Sequence, residues 1–357
     1  VNKHSRLKPR FVNPFMKKYF FLLLPFFAAV SDEQTVTYFA DTISTENLEK
    51  HLSFLASDSL RGRLTGSKEQ KIAAVYLAKY FQENGLKAIV AQNTSDSSFF
   101  QSFYIKKYFG GQHSIMLNPT NKMSRAKNVI ATENVIGFLE GTDKKDEVLV
   151  ISAHYDHIGT KNGTVFNGAD DDGSGTVAMM EMARVFSEAK KQGKSPRRSI
   201  LFIAFAGEEY GLLGSEYYTE KPVIPLKNTI CDLNIDMIGR IDELHANQKN
   251  YVYLIGSDKI SPELHALSER NNALFTNLKL DYSYNSESHP QQLYYRSDHY
   301  NFAKNLIPII FYFDGEHPDY HQSTDDVDRI DFELLKKRTQ LVFYTAWDIA
   351  NREGTLN

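Results

Sequence analysis

The chain has 357 residues, 42% hydrophobic and 24% charged, which is enough apolar material for a substantial core and argues against disorder. A formal charge of −3, from 41 basic and 44 acidic residues, gives no electrostatic basis for a nucleic-acid partner and suits a small molecule or a peptide. The single cysteine, Cys231, excludes an intramolecular disulfide and an all-cysteine zinc site, so a metal would have to be held by His, Asp and Glu.

From Met16 the chain reads MKKYFFLLLPFFAAVSDEQ: two lysines, an apolar run from Tyr19 to Val30, then small residues before an acidic stretch. That is the layout of a secretory signal peptide. The run is about a dozen residues, short of the roughly 20 needed to span a bilayer. Ala29 and Ser31 suit a small-x-small cleavage site, leaving a mature chain from about Asp32. Residues 1–31 are therefore read as an upstream extension and signal peptide, and residues 32–357 as one domain. With no disulfide, this predicts a bacterial protein exported to the periplasm or the medium, not held at a membrane once the signal is cleaved.

Thr45–Ala56 and Ser67–Asn84 carry apolar residues at helical spacing, with Thr45 and Ser67 as N-caps and Gly85 as a stop. Residues 98–141 alternate aromatic and polar side chains around Gly110-Gly111 and Asn118-Pro119, a pattern of strands and turns. Beyond Glu147 come short continuous apolar runs, EVLVISAH, SILFIAFA, TICDLNIDMI, YVYLIGS and IPIIFYF, as expected of strands buried on both faces. Helical segments at 175–191, 262–274, 298–305 and from Asp331 to about Arg352 separate or follow them. Strand and helix alternating in this way predict an α/β protein, a three-layer α/β/α sandwich with a mixed, largely parallel central sheet.

Ligand sites in open α/β sheets gather at the carboxyl ends of the strands. His154 and Asp156 follow VLVISA, Glu208 and Glu209 follow ILFIAFAG, Asp236 closes CDLNI, and His321 lies beyond IIFYF. Asp170, Asp171 and Asp172 precede the helix at 175. Any one of these has an ordinary explanation, a solvated carboxylate or a helix cap. Together they would concentrate uncompensated negative charge on one rim, and a divalent cation relieves it. Cys231, inside an apolar run, is read as a buried structural thiol. No Gly-x-Ser-x-Gly elbow or His-Glu-x-x-His helix is present.

The segments HYDHIG, NGADDDGSG, FAGEEYGLLGS, NIDMIG, RSDHYNF and YHQSTDD, in that order, resemble the aminopeptidase Y and bacterial leucyl aminopeptidase family of co-catalytic zinc metallopeptidases. The resemblance runs from about Asn128 to the C-terminus, more loosely from Thr45. It implies a phosphorylase/hydrolase-like sandwich and two zinc ions bridged by Asp171, with His154 and Asp236 completing one site and Glu209 and His321 the other. It further implies Glu208 as the general base acting on a metal-activated water. Asp156 is implied as the carboxylate that orients the His154 imidazole, and Asp172 as the position after a cis peptide bond. Tyr320 matches a tyrosine that stabilises the tetrahedral intermediate in some members. Ser297, Asp298 and His299 are assigned to support of the site. His157, Asp170 and Arg296 would line the cleft or tie down loops, with loops preferred.

The implied activity is removal of N-terminal residues from peptides. A glutaminyl-peptide cyclotransferase with one zinc shares the fold, but Tyr320 stands where those enzymes carry Trp before the last His ligand. A carboxypeptidase would need an arginine for the substrate carboxylate, and Arg240 and Arg296 keep that reading open. A non-catalytic receptor-like domain would be expected to have lost metal ligands, and here every ligand position is filled.

Overall fold

The structure, a computed structural model, describes Val1 and residues 33–91, 96–286 and 288–356. The signal-peptide segment at residues 16–31 lies outside the described residues. Among them, no helix is long and apolar enough to cross a membrane.

One nine-stranded sheet organises the fold. Its strands are β1 (Phe100–Lys107), β2 (His113–Met116), β3 (Val129–Leu139), β4 (Lys144–His154), β5 (Arg198–Phe205), β6 (Thr229–Ile235), β7 (Tyr251–Ile255), β8 (Lys279–Asp281) and β9 (Ile309–Phe313). They lie in the order β8-β7-β9-β6-β4-β5-β3-β1-β2. The central strands β9, β6, β4 and β5 are mutually parallel, and β8 is parallel to β7. β7 runs antiparallel to β9, and β3, β1 and β2 continue the other flank antiparallel. The sheet is thus mixed, with the predicted parallel part at its centre.

Two apolar layers cover the central strands. In β5, Ile200, Phe202 and Ala204 join one core cluster while Leu201, Ile203 and Phe205 join the other, so its two-residue period feeds both faces. Each of the larger of these side chains, fully removed from water, contributes about 1.5–3 kcal/mol. A helix over 33–41, α1, comes first and places Phe39 against Trp347 near the C-terminus. On the same side pack α2 (Thr45–Leu55), α3 (Lys68–Glu83), α4 (Gly175–Lys191) and the long C-terminal helix Phe332–Asn351, which carries Trp347.

The helix predictions hold with small shifts at the ends. Ser44, not Thr45, caps α2, its hydroxyl accepting the Asn47 N–H at 3.1 Å. Ser67 caps α3 as expected, and Gly85 with φ +79° follows its end. Two further helices, α1 and α5 (Leu213–Glu220), have no counterpart among the predicted elements. Gly211 and Gly214 punctuate the sequence around the start of α5 and mask its period.

Two devices anchor the loops at the carboxyl ends of the strands. The guanidinium of buried Arg63, in the linker between α2 and α3, donates to the main-chain oxygens of Leu55 and Asn167 at 2.6 Å, Tyr155 at 2.8 Å and Gly168 at 3.0 Å. It thereby gives four buried main-chain carbonyls a charged donor in place of water, that of Gly168 also accepting from the Gly173 N–H. At the start of α4 the backbone of Gly175 lies so close to Asp172 and β6 that a Cβ would sit 2.4 Å from the Asp172 carboxylate and 2.6 Å from the Ile235 carbonyl. Only glycine fits there.

Candidate metal centre

β4, β5, β6 and β9 deliver their polar termini to one edge. His154 is the last residue of β4 and Asp236 follows β6 directly, while Glu208 and Glu209 follow β5 after Gly207. The loop between β4 and α4 brings Asp171 to the same place across a cis Asp171–Asp172 peptide bond. His321 comes from the loop after β9 and adopts φ +56°, a conformation uncommon outside glycine.

The two carboxylate oxygens of Asp171 face two different groups. Oδ1 lies 3.2 Å from Nε2 of His154, which is itself 3.6 Å from Oδ1 of Asp236. Oδ2 lies 3.0 Å from Nε2 of His321, which is 3.4 Å from Oε2 of Glu209. Asp172 is differently employed: its carboxylate accepts the main-chain N–H groups of His154 at 3.0 Å, Gly175 at 2.9 Å and Met237 at 3.1 Å. Those bonds tie β4, α4 and β6 together and leave Asp171 as the carboxylate turned toward the cluster.

His157, expected to tie down a loop, instead lies in the cluster. It is fully buried, and its Nδ1 is 2.8 Å from Oε1 of Glu209 and 3.7 Å from Oδ2 of Asp171. The clue in the sequence is its position three residues after His154 in HYDHIG, but loop trajectory, not periodicity, decides where it points. Both ring nitrogens of His157, Oδ2 of Asp171 and Oε1 of Glu209 are buried with no hydrogen-bond partner among the described residues. Such orphaned donor atoms, converging from imidazoles and carboxylates, fit a bound cation.

Electrostatics agree. Burial would lower the affinity of His321 for a proton, but Asp171 and Glu209 outweigh it and push its pKa up to about 10. His154 is likewise raised, burial being overcome by Asp236, Glu208 and Asp171. Glu208 is held well above the usual carboxylate range by burial and by Asp236, Glu209 and Asp298, against the attraction of His154. An acidic site that draws protons onto its bases carries charge that a divalent ion would replace.

Glu208 and Tyr320 line a cavity of about 340 Å³ with His154, Asp171, Glu209, Asp236 and His321, and Leu293, Phe313 and Met237 supply apolar wall. Burial, with Asp171, Asp236 and Glu208 nearby, pushes the Tyr320 phenol up, so it is a neutral donor. Its ring stacks on His321 at 4.0 Å between centroids. Asp156 departs in one respect from expectation. Nδ1 of His154 contacts the main-chain oxygen of Asp156 at 3.1 Å, and the carboxylate is 3.8 Å away, beyond hydrogen-bond reach. That carboxylate instead accepts from Thr65 and, at 3.4 Å, from the main-chain N–H of Glu208.

Around the cluster, Ser297 donates to Oδ2 of Asp236 at 2.6 Å and accepts from Asn234 at 2.9 Å, in keeping with a supporting role. Asp170 does tie down loops, accepting from Gly239 at 2.7 Å and facing Nε2 of His317 at 3.0 Å. Arg296 reaches the cavity wall, where it pairs with Glu316 at 3.1 Å. Cys231 is buried, which pushes its thiol up and fits a structural role.

The buried His317–Asp170 pair has a measurable consequence. Burial alone would lower the His317 pKa, but Asp170 and Asp314 raise it to about 9. A folded-state pKa above the unfolded value of about 6.5 gives stability that is complete below pH 6.5 and lost as pH climbs through 9. In chelator-treated protein, the unfolding free energy from urea titration is expected to fall over that window by on the order of 1–3 kcal/mol. In His317→Gln the slope should become shallower by the His317 share, with the contributions of His154 and His321 remaining; an unchanged slope would contradict a raised His317.

Comparison with known proteins follows the same outline. The chain is 26% identical over 307 residues to the aminopeptidase YwaD of Bacillus subtilis, covering 77% of this chain and 60% of that protein. It is 34% identical over 138 residues to a probable glutamate carboxypeptidase of Arthroderma benhamiae, covering 38% of this chain and 16% of that one. The chain therefore spans less than two thirds of either relative. In structure it is similar to BSAP, a zinc aminopeptidase from Bacillus subtilis, with a TM-score of 0.63, 18% identity, and coverage of 88% of this chain and 97% of that one. Residues 134–346, which carry the whole cluster, match peptidase family M28, and the chain belongs to that family.

Proposed function

We propose that the chain is a zinc aminopeptidase, in which residues 32–357 form one catalytic domain with a two-zinc centre bridged by Asp171. The observation that carries this reading is the division of the Asp171 carboxylate, one oxygen toward His154 and Asp236 and the other toward His321 and Glu209. His154, Asp171 and Asp236 would hold one ion, and Asp171, Glu209 and His321 the other. Zinc in these positions would polarise the scissile carbonyl and make water acidic enough to lose a proton near neutral pH.

The protein's own groups supply the rest. Glu208, beside the ligand Glu209, takes the proton of the attacking water and returns it to the leaving amine. Two cations beside Glu208 would offset the carboxylates that now raise its pKa, restoring a base. Tyr320, a neutral donor on the cavity wall, would donate to the oxygen that becomes negative in the tetrahedral intermediate. Asp156 acts through its main chain on His154 and through its carboxylate on the Glu208 backbone, so it positions both.

The cavity carboxylates not assigned to metal, Glu208 and Glu316, favour a substrate with a free α-ammonium group. The two arginines that could have received a substrate carboxylate are engaged: Arg296 with Glu316, and Arg240 with Asp319 at 2.6 Å. An aminopeptidase is preferred on that ground over a carboxypeptidase. The signal-like segment at residues 16–31 supports export, with the activity in the periplasm or outside the cell. A matched panel tests the reading: free-amino peptides should be cleaved with their C-termini amidated and resist once N-acetylated. Cleavage that needs a free C-terminal carboxylate would contradict it, as would conversion of N-terminal Gln to pyroglutamate without hydrolysis.

A further inference from the structure

We infer that His157 is an additional metal-binding residue, which makes the two metal positions unequal: His157 joins Asp171 and Glu209 at the position that His321 also approaches, whereas His154, Asp171 and Asp236 form the other. The inference rests on the two-zinc reading and goes beyond its ligand set.

The donor separations carry it. Ligand atoms bound to one zinc at about 2.0–2.2 Å lie about 3–3.6 Å apart in tetrahedral geometry. Around the Glu209 position the relevant separations are 2.8 Å from His157 Nδ1 to Glu209 Oε1, 3.7 Å from His157 Nδ1 to Asp171 Oδ2, 3.0 Å from His321 Nε2 to Asp171 Oδ2, and 3.4 Å from His321 Nε2 to Glu209 Oε2. His157 Nδ1 and Glu209 Oε1 are close enough for a hydrogen bond, yet neither has a hydrogen-bond partner among the described residues. Both atoms are buried, and together with Asp171 they lie close enough to one another to serve as donors to a common cation.

His157 is also held in place rather than free to swing. Its main-chain N–H donates to the Arg63 carbonyl at 3.4 Å, on the linker that Arg63 itself pins by four carbonyls. Its ring lies against Gly168, where a Cβ would come 2.5 Å from Cγ and 2.6 Å from Cδ2. Glycine there lets the Cγ–Cδ2 edge sit on the backbone while Nδ1 faces Asp171 and Glu209. A position with four protein donors resembles a closed, tightly held site, whereas one with three keeps a place open for water or substrate.

The test counts zinc while a chelator removes it. Zinc-loaded wild type should release its metal in two resolved steps, and His157→Ala should lose the tighter one, with at least a roughly 100-fold weaker affinity for that ion. A wild-type-like release profile in His157→Ala would overturn the inference. Cobalt substitution gives a second readout independent of turnover: removal of His157 should change the visible absorption of one of the two ions and leave the other as it was. An unchanged spectrum would count against it. Should the variant fail to fold, anomalous maps of zinc-loaded wild-type crystals decide, since Nδ1 within about 2.2 Å of a zinc supports the inference and Nδ1 beyond about 3 Å of both overturns it. A wild type that saturates with a single zinc refutes the two-zinc reading itself, a result distinct from two zincs neither of which touches His157.

Discussion

Glu208→Gln is expected to retain the zinc content of the wild type and to lose turnover by about 10³-fold, within the range for removal of a general base. The substitution keeps the shape of the side chain and removes its ability to accept a proton. Glu208 makes no approach to the imidazoles comparable to those of Asp171, Glu209 and Asp236, so the metal positions keep all their donors. The two carboxylates that follow β5 are thus separated by role: Glu209 is 2.8 Å from His157 and 3.4 Å from His321, whereas Glu208 lines the cavity where substrate would lie. Metal analysis alongside steady-state kinetics checks both halves. A variant with full zinc and wild-type turnover would remove Glu208 from the chemistry, and one that lost zinc in proportion to activity would make it a ligand.

Asp171→Ala should have the opposite signature, with zinc content and activity lost together. Among the described residues Asp171 is the side chain that faces both groups, so its removal takes a donor from each position at once. It also removes the charge that lies between His154, His157 and His321. The expected result is less than one tightly bound zinc per chain and a rate lower by about 10³-fold or more, a loss larger than one hydrogen bond could account for. The backbone of the loop should survive, because the main-chain N–H groups of Asp170 and Asp171 are held by the Asp325 carboxylate at 3.0 and 3.1 Å. Circular dichroism of the variant should therefore match the wild type. Two zincs retained in Asp171→Ala would mean that another carboxylate bridges them.

The contrast between what the sequence makes legible and what it hides follows physical lines. Strands buried on both faces announce themselves as near-continuous apolar runs: β9 and residues 200–205 of β5 are of that kind, while β6 is buried along its length yet carries Asp232 and Asn234. Polar residues at the carboxyl ends of such strands have few places to go, so the sequence suffices to set His154, Glu208, Glu209 and Asp236 on one rim. The family motifs add His321 and Asp171, which periodicity cannot locate because both sit in irregular loops. The same loops account for what stays hidden. His157 and Asp156 lie in a turn whose direction is set by Arg63 and Gly168, residues outside the HYDHIG segment. The contact from Asp156 to His154 through main chain rather than carboxylate is likewise invisible to side-chain chemistry alone.

The most direct test of the central claim is a zinc titration of chelator-stripped protein, following bound metal by plasma emission and hydrolysis of a free-amino peptide in the same samples. Saturation is expected at two zincs per chain, with full hydrolysis only when both positions are filled. Saturation at one zinc per chain with full activity would contradict it.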